Sequence, residues 1–264
     1  MNRKILFLTL VVFITSTVHL IAQTDTIPKL ITDRPKQTVY PTIVPTGSLQ
    51  IETGFIYETK SDDEFNIENI IVGPTVLRYG LFESLELRLA GSYQSRNVYI
   101  KESSLDSTFA GMGSVTVGIK IFVIKEKGLR PEMAFLADMT LRQIGEERLK
   151  PTFSYPVAKI VASHTLSNKF LFGYNLGFAY NGETPDGFFI YSVALSYNIT
   201  TKLAAFIECY GNFDHGNLPN HIIDGGLTYL IRNNFQLDLS AGTGISDNVN
   251  KYFINLGFSW RIPG

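Results

Sequence analysis

The chain has 264 residues, a formal net charge of −1, and 19 Phe and 13 Tyr within an aromatic content of 12%. A charge this close to zero gives no reason to expect a nucleic-acid partner. The single cysteine, Cys209, excludes an intramolecular disulfide, and no segment after the N-terminal region is apolar for long enough to predict a membrane helix.

The first 23 residues have the three parts of a secretory signal peptide. Residues 2–4 are Asn-Arg-Lys, residues 5–14 are apolar except for Thr9, and residues 21–23 form a cleavage site. The apolar run is shorter than the ~20 residues that cross a membrane, and no Cys follows it, so a membrane anchor and a lipoprotein are weaker interpretations. We predict a signal peptide over 1–23, a periplasmic or lumenal leader over 24–46, and one domain over 47–264.

Twelve segments after Gly47 alternate apolar with polar or small residues, which is the period of β-strands. In the first of them, Leu49, Ile51 and Phe55 share one face, and Gln50 and Glu52 share the other. The segments lie near residues 48–58, 69–79, 85–92, 114–123, 132–141, 155–166, 170–180, 189–198, 203–211, 221–231, 235–241 and 252–261. Counts of ten or fourteen strands stay open.

A short turn recurs between these segments, at residues 81–85, 166–170, 199–203 and 231–235. The last three copies are 33 and 32 residues apart, the length of two strands and their connections. With a periplasmic N-terminus, turns after even-numbered strands should be short and loops after odd-numbered strands longer. The pattern agrees, with 126–130 among the short turns and 95–110, 143–154 and 211–220 among the long loops.

A soluble sandwich also alternates, so the chemistry of the two faces decides between the architectures. The apolar face is large and aromatic at strand ends, and the other face carries Gly, Ser, Asn and isolated charges. A lipid-facing band around a polar lumen has this composition, whereas a water-exposed sheet surface is rich in Lys and Glu. The fold class predicted is therefore all-β, an antiparallel up-and-down transmembrane β-barrel of about 12 strands in the outer membrane of a Gram-negative bacterium.

Twelve charged residues fall on the lumenal parity, six of each sign. They are Glu52, Arg78, Glu86, Arg88, Lys120, Asp138, Arg142, Lys159, Glu208, Asp224, Asp238 and Arg261. A turn at 81–85 that pairs Tyr79 with Leu85 predicts Arg78 opposite Glu86. These side chains either select polar solutes or pair with one another to fill a narrow barrel, and the balance of signs favours pairing.

No catalytic residue, metal site or cofactor is predicted. Asp214, His215 and His221 lie in a predicted outer loop without further ligands to complete a metal site. Ser163 and His164 invite comparison with outer-membrane phospholipases, but neighbours in a strand point to opposite faces.

Residues 32–35, Thr-Asp-Arg-Pro, precede the first strand and do not alternate. They have two interpretations of equal weight. They fold into the lumen or touch a periplasmic partner, or they cap the lower rim of the barrel.

Several segments carry a family resemblance. They are residues 31–38, 44–55, 77–81, 85–88, 113–120, 174–177, 206–208 and 224–229. Together they resemble outer-membrane proteins grouped under a MetA pathway of phenol degradation. The resemblance implies a transporter-like β-barrel connected with uptake of hydrophobic or aromatic compounds. The chain departs from the common barrel ending, a final aromatic residue, because Arg261-Ile262-Pro263-Gly264 follow Trp260; contact with the barrel assembly machinery through Trp260 is the expectation.

The function predicted is a passive channel or transporter for small solutes, with outer-membrane lipid and the assembly machinery as partners; the family resemblance implies solutes of hydrophobic or aromatic character. A closed structural or binding barrel is the leading alternative, and an outer-membrane hydrolase is a weaker one. A lumen occupied by the leader or by paired charges would favour the closed barrel. An open bore would favour transport, and adjacent Ser, His and amide groups on the outer wall would favour a hydrolase.

Overall fold

The computed structural model describes residues 28–61, 64–101, 106–213, 220–246 and 250–264. The predicted signal peptide and the pair Asp214-His215 lie outside the described residues. Within these ranges no helix is both long enough and apolar enough to cross a membrane.

The described chain forms thirteen β-strands in one sheet. Their bounds are β1 Leu49–Ser61, β2 Phe65–Phe82, β3 Leu85–Ile100, β4 Asp106–Met112, β5 Val115–Ile124, β6 Glu132–Leu141, β7 Tyr155–Thr165, β8 Phe170–Tyr180, β9 Gly187–Asn198, β10 Leu203–Phe213, β11 Asn220–Arg232, β12 Phe235–Gly244 and β13 Asn250–Ile262.

The sheet closes into a barrel because β1 pairs with β2 on one side and with β13 on the other. All pairings between named strands are antiparallel, and closure removes the free edges of an open sheet except along β4, for which the described residues show pairing with β3 alone. Strand β3 pairs first with β5 and then with β4, so these two short strands act as one wall strand interrupted at Gly113-Ser114. The wall therefore has twelve strands, which confirms the predicted fold class.

Two local predictions were wrong where the strands run further than their alternation indicated. Residues 95–110 are mostly strand rather than loop, since β3 continues to Ile100 and β4 begins at Asp106. The β2–β3 hairpin turns tightly at Glu83-Ser84 and then bulges, so Tyr79 faces Leu87 instead of Leu85. Arg78 is consequently opposite Arg88, two residues from the predicted register.

Most large apolar residues of the wall point outward, whereas a minority, among them Leu136, Val161 and Phe206, are buried on the inner side. Leu87 and Leu256 are 40% and 49% exposed, whereas their strand neighbours Glu86 and Asn255 are buried. Lipid covers such a surface in a membrane, and pairing with neighbouring strands satisfies the backbone groups of the wall. The polar side chains are thus left to the interior.

The short turns, the start of β1 and the end of β13 lie at one end of the barrel. Outer-membrane barrels have short periplasmic turns and longer extracellular loops. This end is therefore the periplasmic end, and the lumen is described below from it upward.

Candidate functional site

The lumen contains the described residues that precede the first strand, 28–48. They include most of the leader predicted over 24–46, and from here on the term leader means residues 28–48. The leader starts at the periplasmic mouth, where the backbone N–H of Leu30 donates to the carbonyl of Asn233 (2.8 Å). It also ends there, where the N–H of Gly47 donates to the carbonyl of Gly80 (2.8 Å). Between these points Thr38 and Val44 are buried inside the barrel. The leader is thus a loop that enters and leaves through the same end.

Asp33 places a carboxylate of the leader among three cations of the wall. Its Oδ2 lies 2.8 Å from Nη1 of Arg88, and its Oδ1 lies 3.3 Å from Nη1 of Arg78 and 3.4 Å from Nζ of Lys120. Burial alone would raise the pKa of the Asp33 carboxyl, but the charges of the three cations outweigh burial and hold that pKa well below its usual range. The carboxylate is therefore held in its ionised form.

The wall cations are themselves neutralised by carboxylates of neighbouring strands. Arg78 donates to Glu86 through Nε and to Glu52 through Nη1, each at 2.7 Å. The Glu52 carboxylate also accepts the backbone N–H groups of Asp33 (3.0 Å) and Arg34 (2.9 Å). Buried charges are tolerated when each has a partner and its hydrogen bonds are satisfied, and this cluster meets that condition.

Arg34 joins the leader to the closing strands of the barrel. Its Nη2 lies 3.1 Å from Oδ1 of Asp238 on β12 and 2.6 Å from Oδ1 of Asn255 on β13. It also donates to the carbonyl of Leu256 (3.2 Å). One side chain of the leader therefore bonds β12 and β13, the last two strands of the wall.

Hydrogen bonds from the leader's backbone hold it to the opposite wall. The N–H groups of Gln37 (2.8 Å) and Thr38 (2.5 Å) both donate to the carboxylate of Glu208 on β10. Asn175 on β8 accepts from the N–H of Val39 (2.8 Å) and donates to its carbonyl (2.9 Å). The leader thus crosses the bore from β1–β3 to β8–β10.

Glycines of the wall leave the space that leader side chains occupy. A Cβ at Gly257 or Gly54 would overlap the guanidinium of Arg34, and a Cβ at Gly173 would come within 2.5 Å of the Tyr40 ring. Glycine is the residue that admits such close approach. The wall is therefore shaped for the leader at several points.

The twelve charged residues predicted on the lumenal parity have different positions. Those buried in the lumen are Glu52, Arg78, Glu86, Lys120, Glu208, Asp224, Asp238 and Arg261. Arg88, Asp138 and Lys159 are half-buried. Arg142 is exposed and follows the last residue of β6, beyond the strand whose alternation assigned it to the inner wall.

The sequence argument did not include Asp33 and Arg34 among the charged candidates. Both belong to a segment without alternation, so no parity assigned them to a face. The available signal was the placement of two opposite charges beside Pro35 immediately before a barrel whose lumen is charged.

Two cavities with no lining residue in common lie on either side of the leader. The extracellular cavity, about 280 Å³, is lined by Gln37 of the leader and by wall residues that include Lys159, Tyr210 and Lys251. The periplasmic cavity, about 380 Å³, is lined by Lys36 and other leader and wall residues. The leader is what separates these two spaces.

The residues considered for catalysis do not form one site. Ser163 lines the periplasmic cavity, whereas His164 lines a groove on the outer wall, where its Nε2 lies 3.5 Å from the hydroxyl of Tyr174. His221 bonds the hydroxyl of Tyr191 at 2.9 Å through Nδ1. Among the described residues no three His, Cys, Asp or Glu side chains are grouped so as to hold a metal ion.

Solved outer-membrane barrels share this fold. An outer membrane channel from Pseudomonas putida F1 superposes with a TM-score of 0.67 at 12% identity, over 84% of this chain and 97% of that one. The translocator domain of the autotransporter NalP from Neisseria meningitidis gives 0.54 at 9%, over 81% and 88%. The transport unit of the autotransporter AIDA-I from Escherichia coli gives 0.51 at 12%, over 88% and 92%. Likeness at these identities establishes the fold, an outer-membrane β-barrel.

Sequence comparison with curated proteins finds no match. A family model, however, matches residues 32–262, which include both the wall and the leader residues that cross the lumen. With most of its length matched, the chain belongs to the family described as "Putative MetA-pathway of phenol degradation".

Proposed function

We propose that the protein is a passive outer-membrane channel for small solutes that conducts when the leader shifts within the lumen. The observation that carries the proposal is the arrangement of two cavities with a single leader segment, residues 36–40, between them. The wall itself is closed by continuous pairing, so the leader is the part whose movement would connect the cavities.

The leader is held to the two sides of the bore by different kinds of contact, which supports movement of one side only. In the part of the chain that the structure describes, the ion pairs of the leader are those of Asp33 and Arg34, on the side of β1–β5 and β12. The β8–β10 side is held by hydrogen bonds to Glu208 and Asn175 without an ion pair. A net hydrogen bond contributes about 1 kcal/mol, and one to a charged group about 1.5–3 kcal/mol. Release at residues 37–39 separates no ion pair, whereas release of Asp33 and Arg34 separates four, so we take release at residues 37–39 as the easier movement.

A closed structural barrel is the second candidate, and the occupied lumen favours it. The leader and the paired charges fill the region between the cavities, as the sequence argument required for that alternative. The two functions differ in whether residues 37–39 leave the wall.

Single-channel recording in planar bilayers distinguishes them. We expect brief openings from the refolded mature protein, and a several-fold higher open fraction from a Glu208→Ala/Asn175→Ala variant, because its leader lacks the side-chain acceptors on β8 and β10. Asp138→Ala is the matched control, since Asp138 is a lumenal carboxylate without a hydrogen bond to residues 37–39 among the described contacts. Silence from both the folded wild type and the double variant would establish the closed barrel.

A further inference from the structure

The charge of the periplasmic cavity is unbalanced. Its charged lining residues are Lys29, Lys36, Lys202 and Glu132. At about 380 Å³ the cavity is within the range of spaces that hold small ligands. Three ammonium groups against one carboxylate favour an anion in this space.

Lys36 has the position of a ligand-binding cation. Its Nζ lies 4.8 Å from the centroid of the Tyr40 ring and 5.1 Å from that of Phe206. Among the described residues no group accepts a hydrogen bond from Nζ and no carboxylate lies within 4 Å of it; Asp224 and Asp238 act on it only at longer range. An ammonium group has three donors, so these donors are available to a bound anion.

The same cavity offers an apolar surface beside the ammonium. Leu30, Tyr40, Leu171, Phe206 and Leu230 all contribute to its lining. A simple inorganic anion would leave this surface without a partner. A ligand with one carboxylate and a compact apolar body would use both parts of the cavity.

We propose that the periplasmic cavity is a binding site for small monocarboxylates with an aromatic or similarly apolar body. The carboxylate accepts hydrogen bonds from Nζ of Lys36, and the apolar body packs against Phe206 and its neighbours. This deepens the proposed function, because it names a solute class for the channel, but binding itself does not require conduction.

The test is calorimetric titration of the refolded mature protein in detergent with benzoate, beside benzyl alcohol as its uncharged analogue. We expect benzoate to bind the wild type and Lys36→Arg, and to bind Lys36→Gln about tenfold or more weakly, as loss of a charge-assisted hydrogen bond predicts. Benzyl alcohol should bind weakly to every variant. Lys159→Gln is the matched control, since Lys159 lines the extracellular cavity instead, and it should bind benzoate as the wild type does.

Three results would overturn the site: no benzoate binding by folded wild type, equal affinity for benzoate and benzyl alcohol, or equal benzoate affinity in the wild type and Lys36→Gln. The comparison of the two ligands decides the question on the wild type alone, even if a variant does not fold. Binding by a protein that is silent in bilayers would overturn the channel and keep the site. Conduction without benzoate binding would overturn the site and keep the channel.

Discussion

Asp33 is the residue of the leader that pairs with three cations of the wall. It faces Arg78, Arg88 and Lys120 within 3.4 Å, and its side chain is the leader's contribution to their neutralisation. Removing one member of a buried ionic cluster leaves the others uncompensated, which costs more than the cluster contributes when complete.

The cost of removing one charge from this cluster leads to the first prediction. Asp33→Ala should lower the free energy of unfolding by about 3–5 kcal/mol, measured by urea titration of the refolded protein. Glu147→Ala is the control, because Glu147 pairs with Lys150 at an exposed site and should change the same quantity by less than about 1 kcal/mol. Equal effects of the two changes would show that the cluster is not buried in the folded protein.

The second prediction concerns the space that Gly257 leaves for Arg34. Gly257→Ala should displace the guanidinium and loosen the leader, because the added Cβ occupies its position. Trypsin cleavage after Lys36, followed by mass spectrometry, measures the loosening, since the enzyme requires an accessible chain. We expect cleavage to be several-fold faster than in the wild type.

Gly91→Ala is the control for this change, because a Cβ there meets only Val115, at 3.9 Å. In an Arg34→Ala background, Gly257→Ala should add no further increase in cleavage. An increase of the same size in that background would place the effect of Gly257 elsewhere.

The elements of the wall obey a strict alternation, and bulges are where it is interrupted. Strand β2 carries one extra residue, Leu81, between the pairs Gly80–Glu86 and Phe82–Leu85. Because Leu81 is an extra residue, Gly80 is inside and Phe82 is exposed, although the two lie two residues apart. Within the regular ladder a residue cannot be added or removed in this way, since a one-residue slip turns the apolar face inward.

The third prediction compares two deletions in β2. Deleting Leu81 should leave a barrel that folds, because it removes only the extra residue and lies beyond the pairing with β1. Deleting Leu77 should abolish folding, because it shifts part of the strand onto the wrong face against both neighbours. The fraction that migrates as compact barrel in unheated SDS gels measures the outcome, and equal yields would contradict the argument.

At the scale of the whole molecule, the strands of the wall could be predicted from the sequence, whereas the position of the leader in the lumen could not. Alternation is a local property, so residues 170–180 could be assigned to a strand and to faces without knowing their neighbours, and β8 occupies that range. The position of Asp33 depends on Arg88, 55 residues later, and that of Arg34 depends on Asn255, 221 residues later. The leader has no alternation of apolar and polar residues from which such contacts could be predicted, so its two interpretations stayed open.

The β2–β3 register shows the same division at finer scale. The sequence indicated both strands and the nearness of Arg78 to Glu86, which are joined at 2.7 Å. It did not indicate the bulge, because the turn residues Glu83-Ser84 are compatible with more than one hairpin geometry.

The contacts of Arg34 also have a consequence for the order in which the protein folds. The leader precedes every wall strand in the sequence, yet its partners Asp238 and Asn255 belong to the last two strands. Its docking site is complete only after β1 and β13 have met. A docked leader therefore requires a closed barrel, although the leader comes before all the strands of that barrel in the sequence.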